Sequence, residues 1–461
     1  MPQGGLPEND IILVTVDSLQ YDYIADGDGP NANLKGLRSI SEDGVFFTNA
    51  FSNAGITKAS FLSIFSGTFP WMFDGLSGGF GTRRPHLAEL LSDAGYVTAG
   101  FNTNPYLSTT YGYDRGFDYY MGRDTEEAMD QTTLSSKYWP TIKENIPSKH
   151  LARRIRSMYG AVGERLGIQL GGDPYVPAGQ VNEAVLQWVE KTAGPRFIWI
   201  HYMDVHTPYY PREGTVSEGI SKRRAIKLFH KANNHRDQTS EAELEVLQRL
   251  YKGEVVYLDR KFDELLEGLD SRLDLEQSLL IFGSDHGEAF GAHDSVFHPD
   301  GVLYDPQVHV PLIIRAPECS GETVSTPVSN VDILPTALDW ADTEVPSVCV
   351  GDSVFELISD PPEERVVFAG GHGQDTGIAM AVSGKYKLIR DLESGSESLY
   401  DRYQDPAESR NCLSDDPVAA DTLRSALEAH LEMVRSHDST SEEVEVDEEI
   451  KTQLRMLGYS E

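Results

Sequence analysis

The sequence predicts an α/β fold, a doubly wound mixed sheet flanked by helices, followed by a small C-terminal antiparallel sheet. Three observations carry this. Short β-branched runs alternate with longer amphipathic stretches, which is the pattern of strands joined by helices. Polar residues collect just after those runs, where open α/β sheets place their ligands. Beyond about residue 355 the runs shorten and follow one another directly, as in antiparallel meanders.

The first run, IILVTV (Ile11 to Val16), suits a strand buried on both faces and ends in Asp17. Similar strands are expected at Phe197 to Met203, Ser278 to Asp285 and Val310 to Pro317. Helical periodicity marks His86 to Tyr96, Gln180 to Gly194 and Leu250 to Leu269. RVVFAGG, GIAMAVSG, YKLIRDL and ESLYDRYQDP read as the small sheet, with a helix from about Pro417 to Arg435 behind it. The expected organisation is a main domain over 1–355, with insertions near 120–170 and 212–245, a subdomain over 356–435 and an acidic tail over 436–461.

The 461 residues are 39% apolar, enough for a large core, and carry 73 acidic against 39 basic side chains for a net charge of −34. That charge argues against nucleic acid as a partner. With the basic set leaning to arginine, it points to a salt-adapted, halophilic protein, because high ionic strength screens self-repulsion. Three cysteines without metal-ligand spacing indicate no disulfide scaffold. No signal peptide or transmembrane run is apparent, so a soluble, cytoplasmic protein is expected, with membrane-surface contact left open. Both insertions hold basic clusters, SKHLARRIRSMYGAVGERLG and SKRRAIKLFHKANNHR. They read either as lid elements that attract an anionic substrate or as solvated helix faces.

Chemistry concentrates at the strand ends. Asp17 reads as a metal ligand or a strand-end cap. GSDHGE sets Asp285 beside His286, a carboxylate and an imidazole suited to a divalent cation, between glycines that permit a tight turn. HYMDVHTPYYP brings His201, Asp204 and His206 within six positions, able to bind metal or hold and protonate an ester oxygen. A later Gly/Asp-rich loop supplies His293 and His298. In NAGITKASFLSIFSG, Thr57 stands where a helix begins, as cap, nucleophile or both.

Set together, VDSL, FSNAGITKASFLSIFSGTFP, HLAELLSDAGYVTAGF, IHYMDVHTPYYP, GSDHGEAFGAHDSVFHPDGVLYD, VSNVDILPTALDW and LYDRYQDPAESRNC resemble, in order, the sulfatase branch of the alkaline-phosphatase superfamily. The resemblance implies an alkaline-phosphatase-like fold and one divalent ion, Ca, Mg, Mn or Zn, held by Asp17, Asp285, His286 and the nucleophile. It places the nucleophile on Thr57, with His206 and His298 acting on the ester and Asn104, His201 and Asp204 binding substrate. Sulfatases oxidise a cysteine or serine there to formylglycine. Threonine carries a methyl group where that aldehyde would form, so no formylglycine is expected. Phe61 stands in place of an arginine and Ser18 in place of a second aspartate.

These departures shift the expected reaction to phosphate mono- or diesters, or phosphonate esters, attacked by a metal-bound threonine. A sulfated threonine would have to be released by attack at sulfur, which formylglycine chemistry avoids. The alternatives are a sulfuric ester hydrolase, a phosphotransferase moving a head group to a glycan, and a non-catalytic anion-binding relative. The implied partner is a small or polymeric anionic ester, with oligomeric state left open.

Overall fold

The strand Ile11–Val16 (β1) is buried along its whole length, as an unbroken aliphatic run requires when both sheet faces are covered. The computed structural model describes residues 9–27, 29–73, 79–122, 175–317, 319–370 and 377–437, with four positions between 450 and 457. The insertion expected near 120–170, with its basic cluster, and most of the expected tail lie outside the described residues.

Around β1 the main sheet adds Val45–Phe47 (β2), Val97–Phe101 (β3), Tyr119–Met121 (β4), Arg196–Tyr202 (β5), Leu279–Ser284 (β6), Leu312–Arg315 (β7) and Glu322–Val324 (β8). Its eight strands run in the order β8-β2-β7-β6-β1-β5-β3-β4. β1 lies parallel to both β5 and β6, whereas β7 is antiparallel to β6 and β2. The link from β6 to β7 has no crossover helix beyond the single turn Asp305–Val308 among its described residues. An antiparallel neighbour needs none.

Helices Lys35–Glu42 (α1), Thr57–Ser66 (α2), Leu87–Asp93 (α3), Ala178–Lys191 (α4), Lys222–Asn234 (α5), Glu241–Asp270 (α6) and Ile333–Trp340 (α7) cover the sheet. The two-residue period of β1 divides the core: Ile12, Val14 and Val16 pack with α1, α4, α5 and α6, and Ile11 and Leu13 pack with α2, α3 and α7. The helix expected from Leu250 begins earlier, at Glu241, because Ser240 and Glu243 form a reciprocal capping box. The second insertion is thus largely helical, and Phe229 of α5 packs 5.4 Å from Phe297. No described helix is long and apolar enough to cross a membrane.

Val367–Gly370 (β9), Ile378–Val382 (β10), Tyr386–Asp391 (β11) and Glu397–Asp401 (β12) form the small antiparallel sheet. Pro417–Arg435 (α8) covers one face through Ala420, Leu423, Leu427 and Leu431. The other face meets Phe51, Leu303 and Val308 of the main fold. Buried ion pairs fasten the same junction: Lys387 Nζ lies 2.6 Å from Asp305 and 2.5 Å from Glu408, and Arg402 Nε 2.6 Å from Asp305. Removing one partner would leave a buried charge uncompensated.

His430 of α8 lies stacked on Phe368, ring centroids 4.2 Å apart, and burial pushes its imidazole down to about 3. Below pH 6.5 the unfolded chain therefore takes up a proton that the native ring refuses. This contribution to stability is complete above pH 6.5 and is lost as pH falls towards 3. His430→Phe, which keeps the stack, should reduce acid destabilisation by up to ~2 kcal/mol between pH 6.5 and 5, read from denaturant melts across that range.

Candidate active site

Strand register assembles the site. Thr15 of β1 is level with His201 on one side and Gly283 on the other, and Val16 is level with Tyr202 and Ser284. Asp17 therefore leaves β1 between the ends of β5 and β6, in the crevice where parallel strands diverge into loops. Asp17, His201 and Asp285, all buried, each present a ligand atom within 4.8 Å of the others.

Each of these side chains is held from behind. The Trp199 indole donates to Thr15 Oγ1 at 3.0 Å, and Thr15 Oγ1 lies 2.9 Å from His201 Nδ1, so His201 Nε2 faces Asp17 Oδ2 at 3.4 Å. His286 Nδ1 donates to the Gly287 carbonyl at 2.9 Å. A carbonyl only accepts, so Nδ1 carries a proton and His286 Nε2 is turned to the site, 3.6 Å from Asp285 and 3.9 Å from Asp17. His206 is set the same way by the Thr207 carbonyl at 2.6 Å, and its Nε2 lies 3.9 Å from Asp17. Asn104 donates to Asp17 Oδ2 at 2.7 Å.

Thr57 opens α2, with Ile56 in the cap position. Its hydroxyl donates to Asp17 Oδ2 at 3.3 Å and lies 3.2 Å from His286 Nε2. The side chain thus serves the carboxylates, and the helix-cap reading falls away. One turn on, Phe61 presses edge-on against His201, ring centroids 4.9 Å apart. Ser18 is a strut between the two acids: its hydroxyl donates to Asp17 at 2.8 Å, its N–H to Asp285 at 3.1 Å, and its carbonyl accepts from Tyr251 at 2.6 Å. It does so at φ 61°, a left-handed conformation that costs a non-glycine residue about 1–2 kcal/mol.

Gly287 answers a different need from the one expected of it. Its φ is not positive; instead a Cβ there would lie 2.2 Å from the Pro306 carbonyl. That close approach lets Gly287 and Glu288 N–H groups donate to the Gln307 and Pro306 carbonyls, both at 2.8 Å. The Asp285–Glu288 loop is thereby pinned to the segment that carries Asp305.

Burial would raise the Asp17 carboxyl, but His206, His201 and His286 together hold it well below the ordinary range. Burial and the neighbouring Asp17 push Asp285 well above it. Burial lowers His206 to about 4. His298 is lowered to about 3 by burial and by His286. Glu288, raised by burial to about 8, sits 3.3 Å from His298 Nδ1 and accepts from Tyr209 at 2.5 Å. The His298 ring lies 4.9 Å from His206 and 4.8 Å from His286, which completes a wall of imidazoles.

The residues fit a divalent cation. Asp285 Oδ2 and His201 Nε2 are buried without a hydrogen-bond partner among the described residues. Two adjoining carboxylates with imidazole nitrogens form a mixed oxygen and nitrogen donor set. His201, expected to bind substrate, belongs to this group.

Two expected substrate ligands are otherwise engaged. Asp204 accepts from the Ala178 N–H at 2.7 Å and pairs with Arg212 at 3.0 Å, so it anchors the start of α4. Asn104 uses its amide on Asp17 and its carbonyl on the Tyr106 N–H at 2.9 Å, which makes it a positioning residue. His293 stacks on Tyr304 with ring centroids 3.4 Å apart. Two residues beyond those expected join the site, Thr15 and Glu288: Glu288 stands in the GSDHGE motif itself, whereas Thr15, inside a β-branched run, carries no local sign.

The chain matches the sulfatase family model over residues 9–343 and the model for the C-terminal region of N-sulphoglucosamine sulphohydrolase over residues 294–437. An ulvan-active sulfatase from Formosa agariphila is 23% identical, covering 91% of this chain and 80% of its own length. A choline-sulfatase from Rhizobium meliloti is 22% identical over 88% and 82%. Among solved structures, a phosphonate monoester hydrolase from Silicibacter pomeroyi superposes with TM-score 0.67 at 20% identity, covering 94% of this chain and 96% of that one. A different solved protein, in complex with its substrate D-glucosamine-2-N,6-O-disulfate, superposes with TM-score 0.66 at 17% identity, covering 95% and 100%. The fold, the crevice at the ends of β1, β5 and β6, and the family match agree: this chain is an ester hydrolase of the sulfatase family.

Proposed function

We propose that the protein hydrolyses phosphate mono- or diesters, or phosphonate esters, through Thr57. The observation that carries this reading is the Thr57 hydroxyl, 3.3 Å from Asp17 and 3.2 Å from His286 at the buried start of α2. A threonine has no route to the formylglycine aldehyde, and a hydroxyl nucleophile suits phosphorus.

Enzymes of the family use a divalent metal, and Asp17, Asp285, His286, His201 and Thr57 are the residues that would hold it. The ion would lower the hydroxyl pKa and offset charge on the ester oxygens. Thr57 Oγ1 then bonds to phosphorus as the ester oxygen leaves, and water displaces the phosphoryl group in a second step. His206, whose Nε2 bears a lone pair, would take the proton that Thr57 Oγ1 loses as its bond to phosphorus forms and give it to the leaving ester oxygen. His298, backed by Glu288, bounds the space beside the ester. On this reading residues 1–355 are the catalytic unit and 356–435 a supporting subdomain.

The second reading is a sulfuric ester hydrolase, favoured by the likeness to ulvan-active and choline-sulfatases. Parallel assays of aryl phosphate, phosphodiester, phosphonate and sulfate decide between them. They are to be run at high salt, in keeping with the acidic composition, with Mn²⁺, Zn²⁺, Mg²⁺ or Ca²⁺. We expect the best phosphorus ester to be turned over at least ~10-fold faster than the sulfate. Faster sulfate cleavage would replace the first reading with the second. Product formed on an added alcohol would indicate transfer, and anion binding without turnover would indicate a non-catalytic relative.

A further inference from the structure

We propose that Lys58, walled by Tyr106 and Tyr111, forms a leaving-group subsite that selects esters whose leaving group carries a second negative charge on a ring. The inference rests on the reading of Thr57 as the reacting residue.

The subsite is built on the segments that build the reaction centre. Lys58 follows Thr57 in α2. Tyr106 lies two residues beyond Asn104, whose amide holds Asp17. Asp300 lies two residues beyond His298. Lys58, Tyr106 and Asp300 thus gather within two residues of Thr57, Asn104 and His298.

Lys58 is half-buried, yet it makes no hydrogen bond and no ion pair among the described residues. Its ammonium stands 6.0 Å and 5.9 Å from the ring centroids of Tyr106 and Tyr111, at the outer limit of cation–π attraction. The rings bound the charge without satisfying it. Burial lowers the Lys58 ammonium below its ordinary range, and the field of Asp300 offsets this only in part. The Asp300 side chain is exposed and accepts from its own Gly301 N–H at 2.8 Å. A partly desolvated ammonium without a bonded anion is unfavourable in the free protein. It is the more unusual in a chain with 73 acidic and 39 basic residues.

The centre itself offers no such charge. Among the described residues, the side chains in contact with Asp17 and Asp285 are histidine, asparagine, threonine and serine, with no lysine or arginine. A substrate anion additional to the ester would find its nearest ammonium along the chain at Lys58. The half-buried Tyr106 ring, backed by the buried Tyr111 ring 5.9 Å away, offers a face to a planar aromatic or sugar ring. The ligand class is thus a ring bearing a carboxylate, sulfate or phosphate beside the ester.

The test uses the Mn²⁺-loaded full chain and two aryl esters with leaving groups of matched acidity, one neutral and one carboxylated. Both are prepared as phosphorus and as sulfur esters. The readout is discrimination, KM of the neutral ester divided by KM of the carboxylated one. We expect Lys58→Met to lower it about 10-fold and Lys58→Arg to restore it. Loss of packing alone would shift both KM values together and leave the ratio unmoved, which would overturn the subsite. Calorimetric binding of the two esters to Thr57→Ala protein, with and without Lys58→Met, gives the same ratio without turnover. An unchanged binding ratio overturns the subsite, whereas full activity in Thr57→Ala overturns only the Thr57 chemistry.

Discussion

Thr57→Ala is expected to lower kcat by at least ~10³-fold on every ester the protein turns over, whereas Thr57→Ser should stay within about tenfold. The difference follows from which atoms each change removes. Alanine takes away the oxygen that donates to Asp17 and faces His286, while serine removes only a methyl group. The buried start of α2 rests on Ala59, Phe61 and Leu62, which neither substitution touches, so both variants should melt close to the parent. Acid-quenched protein should carry a phosphoryl adduct on the peptide containing Thr57, and the alanine variant should carry none. Full activity in Thr57→Ala would remove the residue from the mechanism.

Asp285→Asn is expected to make the metal-free protein more stable than the parent while abolishing both metal-induced stabilisation and turnover. Asp17 and Asp285 are buried side by side, and their mutual repulsion in a low-dielectric site is relieved only by a cation or by loss of one charge. In the parent, metal at one hundred times its dissociation constant should add about 2.7 kcal/mol. A chelator should remove that gain. The variant should show a higher melting temperature in chelator, no shift on adding Mn²⁺ and at least ~10³-fold less activity, read by calorimetry and the aryl ester assay. A metal-dependent shift equal to the parent's would show that Asp285 is not a ligand.

Much of this was legible in the sequence because buried strands announce themselves. IILVTV and SLLIFGSD have no reading as surface, and the polar residues that end them fall at the mouth of the crevice. The direction of β7 was not legible, since an apolar run has the same text either way along a sheet. Asp204 and Asn104 looked like substrate ligands through their neighbours in the chain. Their partners, Ala178 and Asp17, lie 26 and 87 residues away. His201 was visible as chemistry but not as a member of the Asp17 and Asp285 group, because its orientation depends on Thr15 and Trp199, brought together by strand register. Phe61 read as the loss of an arginine. The structure gives it a use, as the wall that fixes the His201 ring.

The small sheet acquires a mechanical meaning from its attachment. Lys387 and Arg402 grip Asp305, and the two residues after Asp305 hold the loop of Asp285 and His286 by its backbone. Changes at Lys387, Arg402 or Asp305 therefore bear on the backbone that carries Asp285 and His286. By linkage, any free energy that an ion or substrate spent in ordering that loop would reappear as a tighter hold on the sheet.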